Sequence, residues 1–450
     1  MYLVYGTFIG MVLYGLYYFL LSNFQYINYL RESLKVKQKP NVPLPPPYPN
    51  GWFKLLHSHE LKIKEVKYVE ILGQNFAVYR GEDGIAYAVD AFCPHLGANL
   101  GIGGTVEKNC ITCPFHGWKY NEDGKCVNKV MAHDKNNCDN DNQDDNKDIY
   151  SCNHANNGCV ENHQNQNTNQ NQNQNQNTNQ KNNRNIYIKK WDIYEVNNII
   201  LVWYNELNEA PTYFPKEIPE IKNSMWKLRG KTIQYAQCHV SDIPENISDV
   251  RHFDFVHSKH SNLLPIHYKW KPVWKASYDE TIDELFDDVN EEAQKFKMSK
   301  LQYCEKPFTS VLYFEHLIQL KLFGKYYDIP LGMKLIGFQV GPGVVYLFFS
   351  TTFGKGVFVQ SLVPLGPNKQ ELTHVLYTEN KMPYFMSAFM LYGEAQQVLN
   401  DAYIWSNKLH LEKPIVCTNV DKILIKWRKW YSQFYTSKIT KNNKINDLTW

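Results

Sequence analysis

Two short segments place metal-ligating side chains at fixed spacing. The first, CPHLGANLGIGGTVEKNCITCPFHGW, carries Cys93-Pro-His95, an interval of seventeen residues, and then Cys113-Pro-Phe-His116. Two thiolates and two imidazoles on two Gly/Pro-rich loops suit either of two metal groups. Zinc binds two Cys and two His tetrahedrally, but its usual modules open on Cys-x(2 to 4)-Cys. Here each loop offers one sulfur and one nitrogen. That is the set needed by a [2Fe-2S] centre in which Cys93 and Cys113 hold one iron and His95 and His116 the other. Neutral imidazoles in place of charged thiolates make such a cluster easier to reduce than an all-Cys one, so it serves as a one-electron relay. Cys110 and Cys126 lie nearby without a place in the pattern and read as buried small residues.

The second segment, SDIPENISDVRHFDFVH, sets Asp249, His252 and His257 in the order Asp-x2-His-x4-His. On a helix Asp249 and His252 are three apart and share a face. His257 reaches the same metal only if the helix is distorted before it. Two imidazoles with a carboxylate from elsewhere make the facial triad of non-haem Fe(II), which leaves positions open for O2. A pair of surface histidines is the plain alternative.

With both motifs on one chain, the sequence resembles the Rieske non-haem iron oxygenases, over nearly everything after a proline-rich linker except one polar insertion. The resemblance implies that His252 and His257 ligate the mononuclear iron. It also implies that Asp249 is the acid bridging that iron to a cluster histidine of a neighbouring subunit, within a homotrimer. The third ligand is then a carboxylate on a C-terminal helix. In QQVLNDAYIWSNK this is Asp401, whose placement before Ile-Trp matches steroid-type members, with Glu394 as the competing carboxylate. The implied reaction draws electrons from NAD(P)H for use with O2. No Gly-rich nucleotide loop in a strand-helix context is evident, so a separate reductase must supply them.

The apolar N terminus, PPPYPNGWF and IPENISDVRHFDFVH are further similar to the Neverland group of cholesterol 7-desaturases. That likeness implies dehydrogenation of a sterol at C7-C8 to give 7-dehydrocholesterol. The chain departs from animal members in its insertion and in the residues between His252 and His257. A Rieske steroid hydroxylase is the alternative, and a pure electron-transfer Rieske protein is disfavoured by the second motif.

The elements that must hold these residues follow from pattern. Residues 1–24 open with YLVYGTFIGMVLYGLYYFLL, an uncharged stretch long enough as a helix to cross about 30 Å of hydrocarbon. It has neither the basic start nor the cleavage site of a signal peptide. Arg31, Lys35, Lys37 and Lys39 follow it, so the positive-inside bias predicts a single-pass protein with its catalytic region in the cytosol, at the endoplasmic reticulum. Residues 25–50 include PNVPLPPPYPN and read as an extended spacer.

Residues 51–212 alternate in short strands and read as an antiparallel β domain around the first motif. YRGEDGIAY and KYNEDGKCV each carry an Asp-Gly hairpin signal. An Asn/Gln-rich insertion at about 128–185 cannot bury enough apolar surface to order itself, and its two ends should lie close together. It also carries Cys138, Cys152, His154 and Cys159, which could form a small zinc knuckle but read more simply as incidental. Residues 213–430 read as an α+β catalytic domain with helices packed on one antiparallel sheet, including a helix from Tyr384 to about Lys408, and 431–450 as a tail.

Composition agrees with this outline. Of the 450 residues 43% are hydrophobic and 21% charged, which excludes general disorder. A net charge of +3 gives no field to draw the chain onto nucleic acid. Ten scattered Cys suit reduced thiols and metal better than a secreted disulfide framework. Phe314, Phe338, Phe348 and Met386 are candidate pocket residues that read equally as core. His57, His239, His260 and His374 have no partner pattern and read as surface or satisfied core histidines.

Overall fold

The computed structural model describes residues 27–28, 44–128, 185–249, 251–258, 266–277, 300–303, 307–411, 415 and 419–436. These form two compact units, one built from Leu55–Glu70 and Gln74–Ile193, the other from the remaining described chain. The N-terminal span, the Asn/Gln-rich tract with its Cys and His residues, and His260 lie outside the described residues. Among the described residues no helix is long and apolar enough to cross a membrane.

The smaller unit is all β, as the short alternating runs dictate. Val66–Ile71, Gln74–Arg80, Ala86–Asp90 and Lys190–Trp191 make one four-stranded sheet. Thr105–Glu107, Cys110–Thr112, Lys119–Tyr120 and Cys126–Asn128 make a second. Both Asp-Gly turns close hairpins, with Gly84 and Gly124 at φ near +80° and +75°. Ala77, Tyr79, Val89, Leu100, Ile111 and Tyr120 fill the core between the sheets, together with Cys93 and Cys113. The two ends of the insertion are paired. The Cys126 N–H donates to the Ile186 carbonyl at 2.8 Å, and the Ile188 N–H to that of Gly124 at 2.8 Å.

The larger unit is built on one eight-stranded sheet. Its strands are β1 (Ile27–Asn28), β2 (Trp226–Ala236), β3 (Ile266–Ser277), β4 (Thr309–Leu322), β5 (Lys325–Val340), β6 (Val344–Thr351), β7 (Gly354–Gly366) and β8 (Lys369–Glu379). They lie in the order β1-β2-β8-β7-β6-β5-β4-β3, with every pair antiparallel except β1 with β2. Besides the four-residue helix Pro219–Lys222, three helices accompany the sheet among the described residues: α1 (His252–Val256), α2 (Tyr384–Trp405) and α3 (Asn419–Tyr431).

The strands alternate with period two between two clusters, which fixes their register. Val311, Tyr313, Ile336, Phe338, Tyr346, Phe348, Val357 and Val359 join Trp427 and Tyr431 of α3 in one aromatic-rich core. Leu312, Phe314, Leu335, Phe349 and Phe358 point the other way, toward Leu391 of α2. A one-residue slip in any of these strands would exchange the two sets. Strands Ile193–Val196 and Ile199–Tyr204 form a small sheet with Gly51–His57. Trp52, Val196, Ile199, Leu201 and Trp203 pack in the aromatic core of the larger unit, so by packing this stretch belongs with the catalytic sheet although it precedes residue 213.

Helix α2 starts after Pro383 and lies on β2, where the buried Gln234 amide donates to the Ala395 carbonyl at 2.8 Å. Val398, Ala402 and Trp405 continue that contact onto Ala236, Leu362 and Leu372. The adjoining stripe of α2, with Met386, Met390, Gly393, Gln397 and Asp401, lines a cavity.

A buried charge network holds the chain on either side of the helices that carry the second motif. Lys408, just after α2, lies 2.7 Å from Asp242 and 3.4 Å from Glu245, both just before the motif. His410 reaches Asp242 at 3.0 Å, and Arg428 of α3 reaches Glu245 at 2.7 Å. Burial alone would raise the Asp242 pKa, but the hydrogen bond from His410 and the Lys408 charge outweigh it and bring it to about 2.

Candidate active site

The two cluster loops share one local design. In the first, the Cys93 N–H donates to the Ala98 carbonyl at 2.9 Å and the Gly97 N–H to the Cys93 carbonyl at 2.8 Å. In the second, Cys113 N–H reaches Trp118 O at 2.8 Å and Gly117 N–H reaches Cys113 O at 3.1 Å. The offsets are the same, and both loops read Cys-Pro-x-x-Gly. Gly97 and Gly117 sit at φ +73° and +70°, a region that side chains with a Cβ rarely enter, which is why glycine closes each loop.

This design turns the thiols inward and the imidazoles outward. Cys93 and Cys113 are free, buried and side by side, with Cys93 Sγ 3.0 Å from the Tyr120 hydroxyl. Burial holds the Cys93 thiol above its usual pKa. His95 is exposed and His116 half-exposed, with ring centroids 4.7 Å apart, and His95 stacks on Trp118 at 4.3 Å. Two inward sulfurs and two outward nitrogens suit a two-iron cluster whose histidine edge faces solvent. Cys126 is buried and Cys110 half-buried.

In the larger unit His252, His257 and Asp401 each present a ligand atom, and these atoms lie within 4.8 Å of one another. They are the one such group of three among the described residues. The helix distortion that the spacing requires is present: α1 stops at Val256, and His257 caps it at φ −109°, ψ 23°. The two imidazoles stand 4.9 Å apart between centroids at 76°, and His257 Nε2 is 3.2 Å from Asp401 Oδ2.

The second nitrogen of each ring is engaged elsewhere. His252 Nδ1 donates to the Asp249 carbonyl, and His257 Nδ1 to Gln397 Oε1 at 2.5 Å. Both rings thereby turn Nε2 toward Asp401, the tautomer that a metal ligand needs. Burial lowers the His252 pKa despite the opposing Asp401 charge, so its ring is neutral at pH 7.

Asp249 does not share a helical face with His252, because α1 begins at His252. Its carboxylate instead accepts the backbone N–H of Arg251 at 3.2 Å and of His252 at 3.3 Å, closing the turn that enters α1. Glu394 is not part of the three-donor group. It lies two turns before Asp401 on α2, where Oε1 accepts from Gln360 at 3.1 Å and lies 3.3 Å from His374 Nδ1.

The three donors open onto a cavity of about 470 Å³, within the range of sites for ligands of drug or lipid size. Phe253, Trp270, Phe314, Leu347, Met386 and Met390 are among its many apolar lining residues. Of the four pocket candidates, Phe314 and Met386 line it, whereas Phe338 and Phe348 lie in the aromatic core on the other side of the sheet. His239 is a satisfied core residue, bonded to Ser241 at 2.7 Å and to the Pro45 carbonyl at 3.0 Å. His57 is also buried. His374 lines the cavity, which its isolated position in the sequence gave no means of finding. Gln397 was likewise invisible: a glutamine four residues before an aspartate carries no signal until α2 is set against α1.

A family model described as the Rieske [2Fe-2S] domain matches residues 51–137. One described as the 3-ketosteroid 9alpha-hydroxylase C-terminal domain matches residues 202–435. A protein of Ciona intestinalis named cholesterol 7-desaturase nvd 1 is 32% identical over 417 residues, covering 90% of this chain and 73% of its own length. The chain belongs to the cholesterol 7-desaturase family of Rieske oxygenases. A second cholesterol 7-desaturase, from Xenopus laevis, is 32% identical over 88% of this chain and 73% of its own. The fold of dicamba monooxygenase, solved with 3,6-dichlorosalicylic acid, superposes with a TM-score of 0.50 at 11% identity, over 88% of this chain and 98% of that one. At that identity it speaks for the fold alone. As a cholesterol 7-desaturase family member the chain is an oxidoreductase with two metal centres, and the donor sets just described fit a [2Fe-2S] cluster and a mononuclear non-haem iron.

Proposed function

We propose that this chain removes one hydrogen each from C7 and C8 of cholesterol or a closely related sterol, giving a 7-dehydrosterol. The observation that carries the reading is the joining of a two-histidine, one-carboxylate set to a largely apolar cavity, in a chain of the cholesterol 7-desaturase family. In the overall balance the C7–C8 unit yields two electrons and a separate NAD(P)H-dependent reductase yields two more. O2 leaves as two molecules of water.

His252, His257 and Asp401 would hold an iron able to activate O2, and Cys93, Cys113, His95 and His116 would hold a cluster able to pass on single electrons. The protein's own work is positional. Gln397 and the Asp249 carbonyl fix the ring tautomers and aim both Nε2 atoms at one point. Beside that point Phe253 packs edge to face on Trp270, with centroids 4.9 Å apart, and tilted on Phe314 at 5.3 Å, and the three rings keep water from it. Asp249 joins the turn entering α1 to His252, which supports its assignment as the link toward a neighbouring subunit's cluster in a trimer.

The uncharged stretch of residues 2–21, followed by four basic residues, supports a single membrane span at the endoplasmic reticulum with the catalytic region in the cytosol. A lipid-dissolved substrate suits that placement. The deciding experiment expresses the chain with a competent reductase in cells lacking a C7 desaturase and feeds them cholesterol. 7-Dehydrocholesterol is the expected product. A hydroxylated steroid would move the chain to the hydroxylase branch suggested by the C-terminal family model, and no sterol turnover with both metals loaded would sink the sterol reading.

A further inference from the structure

The cavity is apolar except for a few groups, and one polar cluster within it is not used by the iron site. Gln360 on β7 and His374 on β8 are direct cross-strand partners on the same face of the sheet. Glu394 of α2 lies over them, and its Oε1 accepts from Gln360 Nε2 at 3.1 Å and stands 3.3 Å from His374 Nδ1. All three residues line the cavity. Oε2 makes no hydrogen bond among the described residues. The His374 side chain is 5% exposed, and its Nδ1 lies within ion-pair distance of Glu394 but off the line of a hydrogen bond. A carboxylate held at the wall of an apolar cavity with one oxygen unused is costly unless a ligand completes it.

Its place on α2 says which ligand atom that is. Glu394 precedes Asp401 by seven residues, so the two carboxylates sit on one face of the helix about 10.5 Å apart along its axis. In a 3-hydroxysterol the hydroxyl oxygen is joined to C7 by five bonds of a rigid ring system, about 6 Å in projection at roughly 1.5 Å per bond. Adding a hydrogen bond of about 2.8 Å brings C7 to within about 2 Å of the level of the three metal donors. We propose that Glu394, oriented by Gln360 and His374, accepts the proton of the sterol 3-hydroxyl and so sets which carbon faces the iron. This rests on the sterol reading above and deepens it. Glu394 is a specificity-determining residue, while Gln360 and His374 position it.

An anion that accepts can hold a hydroxyl but not a ketone, which only accepts in its turn, so the test is a preference between ligands of one size. Tritiated cholesterol bound to the full-length chain in lipid nanodiscs is displaced by unlabelled cholesterol, cholest-5-en-3-one and cholesteryl methyl ether. Wild type should hold cholesterol about 10–100-fold tighter than the ketone or the ether. Glu394→Gln presents an amide that donates as well as accepts. It should narrow the gap between cholesterol and the ketone to about threefold or less by binding the ketone more tightly than wild type does, a gain that misfolding cannot produce. With cholesterol as substrate, KM should rise more than kcat falls.

Three results would overturn the assignment: wild type binding all three sterols within about twofold, Glu394→Gln weakening all of them equally, or Glu394→Gln keeping the wild-type preference. The failure of the two readings can be told apart. Binding without a hydroxyl preference removes the anchor alone, hydroxyl-selective binding without C7 desaturation removes the reaction alone, and no sterol binding removes both.

Discussion

The cluster loops draw all their donors from one continuous segment, Cys93 to His116, and repeat a single hydrogen-bond pattern around two glycines. The iron site draws on two helices far apart in sequence, and its geometry depends on how α2 lies against β2 and α1. A site made by local backbone conformation is written in adjacent residues. A site made by packing is written in the whole domain, and so is more easily loosened by changes that touch no ligand.

Separate loss of the two sites is the hardest test of that contrast and carries the largest effects. His252→Ala or Asp401→Ala should lower desaturation on the order of 10³-fold or more. Each should remove the mononuclear iron from metal analysis and leave the cluster absorbance unchanged. Cys113→Ser should do the reverse, abolishing the absorbance while sterol still binds. Bleaching of the cluster by His252→Ala would show that the two sites are not independent.

Asp249→Asn comes next. The amide oxygen can still close the turn into α1, so both metals should be retained, while turnover falls by about 100-fold because the charge beside His252 is gone. A rate near wild type would leave Asp249 with no role beyond the turn. Gln397→Leu, at a position remote from any motif, should weaken iron binding by about 10-fold, read by titration of Fe(II) into the metal-free protein. An unchanged affinity would mean that His257 is held well enough by its backbone alone.

Smaller effects on turnover are expected from the charge network. Asp242→Asn leaves Lys408 and His410 partly unpaired, and should cost the larger unit about 3 kcal/mol in denaturant unfolding, with the cluster absorbance surviving to the same denaturant concentration as in wild type. The folded Asp242 pKa of about 2 lies below the ordinary carboxylate value, so its stabilisation is complete above roughly pH 4 and is lost as pH falls toward 2. The acid limb of the stability profile should therefore flatten in Asp242→Asn. Smallest of all, deletion of residues 132–184 should leave cluster absorbance and turnover within about twofold of wild type, because Cys126 and Ile186 already hold the flanking strands together.

What could be read in the sequence follows the same division. Cys93, His95, Cys113 and His116 were legible because thiol and imidazole types, proline and glycine all fall at short fixed offsets. His252 and His257 were legible as a pair, and their five-residue spacing required a distortion of the helix before His257, which takes the form of the end of α1 at Val256. The alternation in KLIGFQV and GVVYLFF gave the strands, but not which face of each would meet α2. Hence Phe338 and Phe314 looked alike, although one lies in the aromatic core and the other lines the cavity. Glu394 was legible only as a carboxylate competing with Asp401; its place beside Gln360 and His374 appears when β7, β8 and α2 come together, and that of Gln397 when α2 meets α1.

Helix α1 has five residues, far fewer than the dozen or so that a helix needs to persist alone in water. Besides the packing of Phe253 on Trp270 and Phe314, it is tied to its surroundings by side-chain hydrogen bonds: Asn400 donates to the Val256 carbonyl at 3.3 Å, Trp270 to that of His257 at 3.1 Å, and Gln397 accepts from the His257 ring. An ion bound by His252, His257 and Asp401 is therefore also a cross-link between this one short turn and the 22-residue α2. Iron occupancy then becomes a matter of local stability as well as chemistry. Removing the ion should release α1 to open by itself while the sheet stays folded, so that amide hydrogen exchange at residues 252–257 quickens and a protease finds a cleavage site there that the loaded enzyme does not offer.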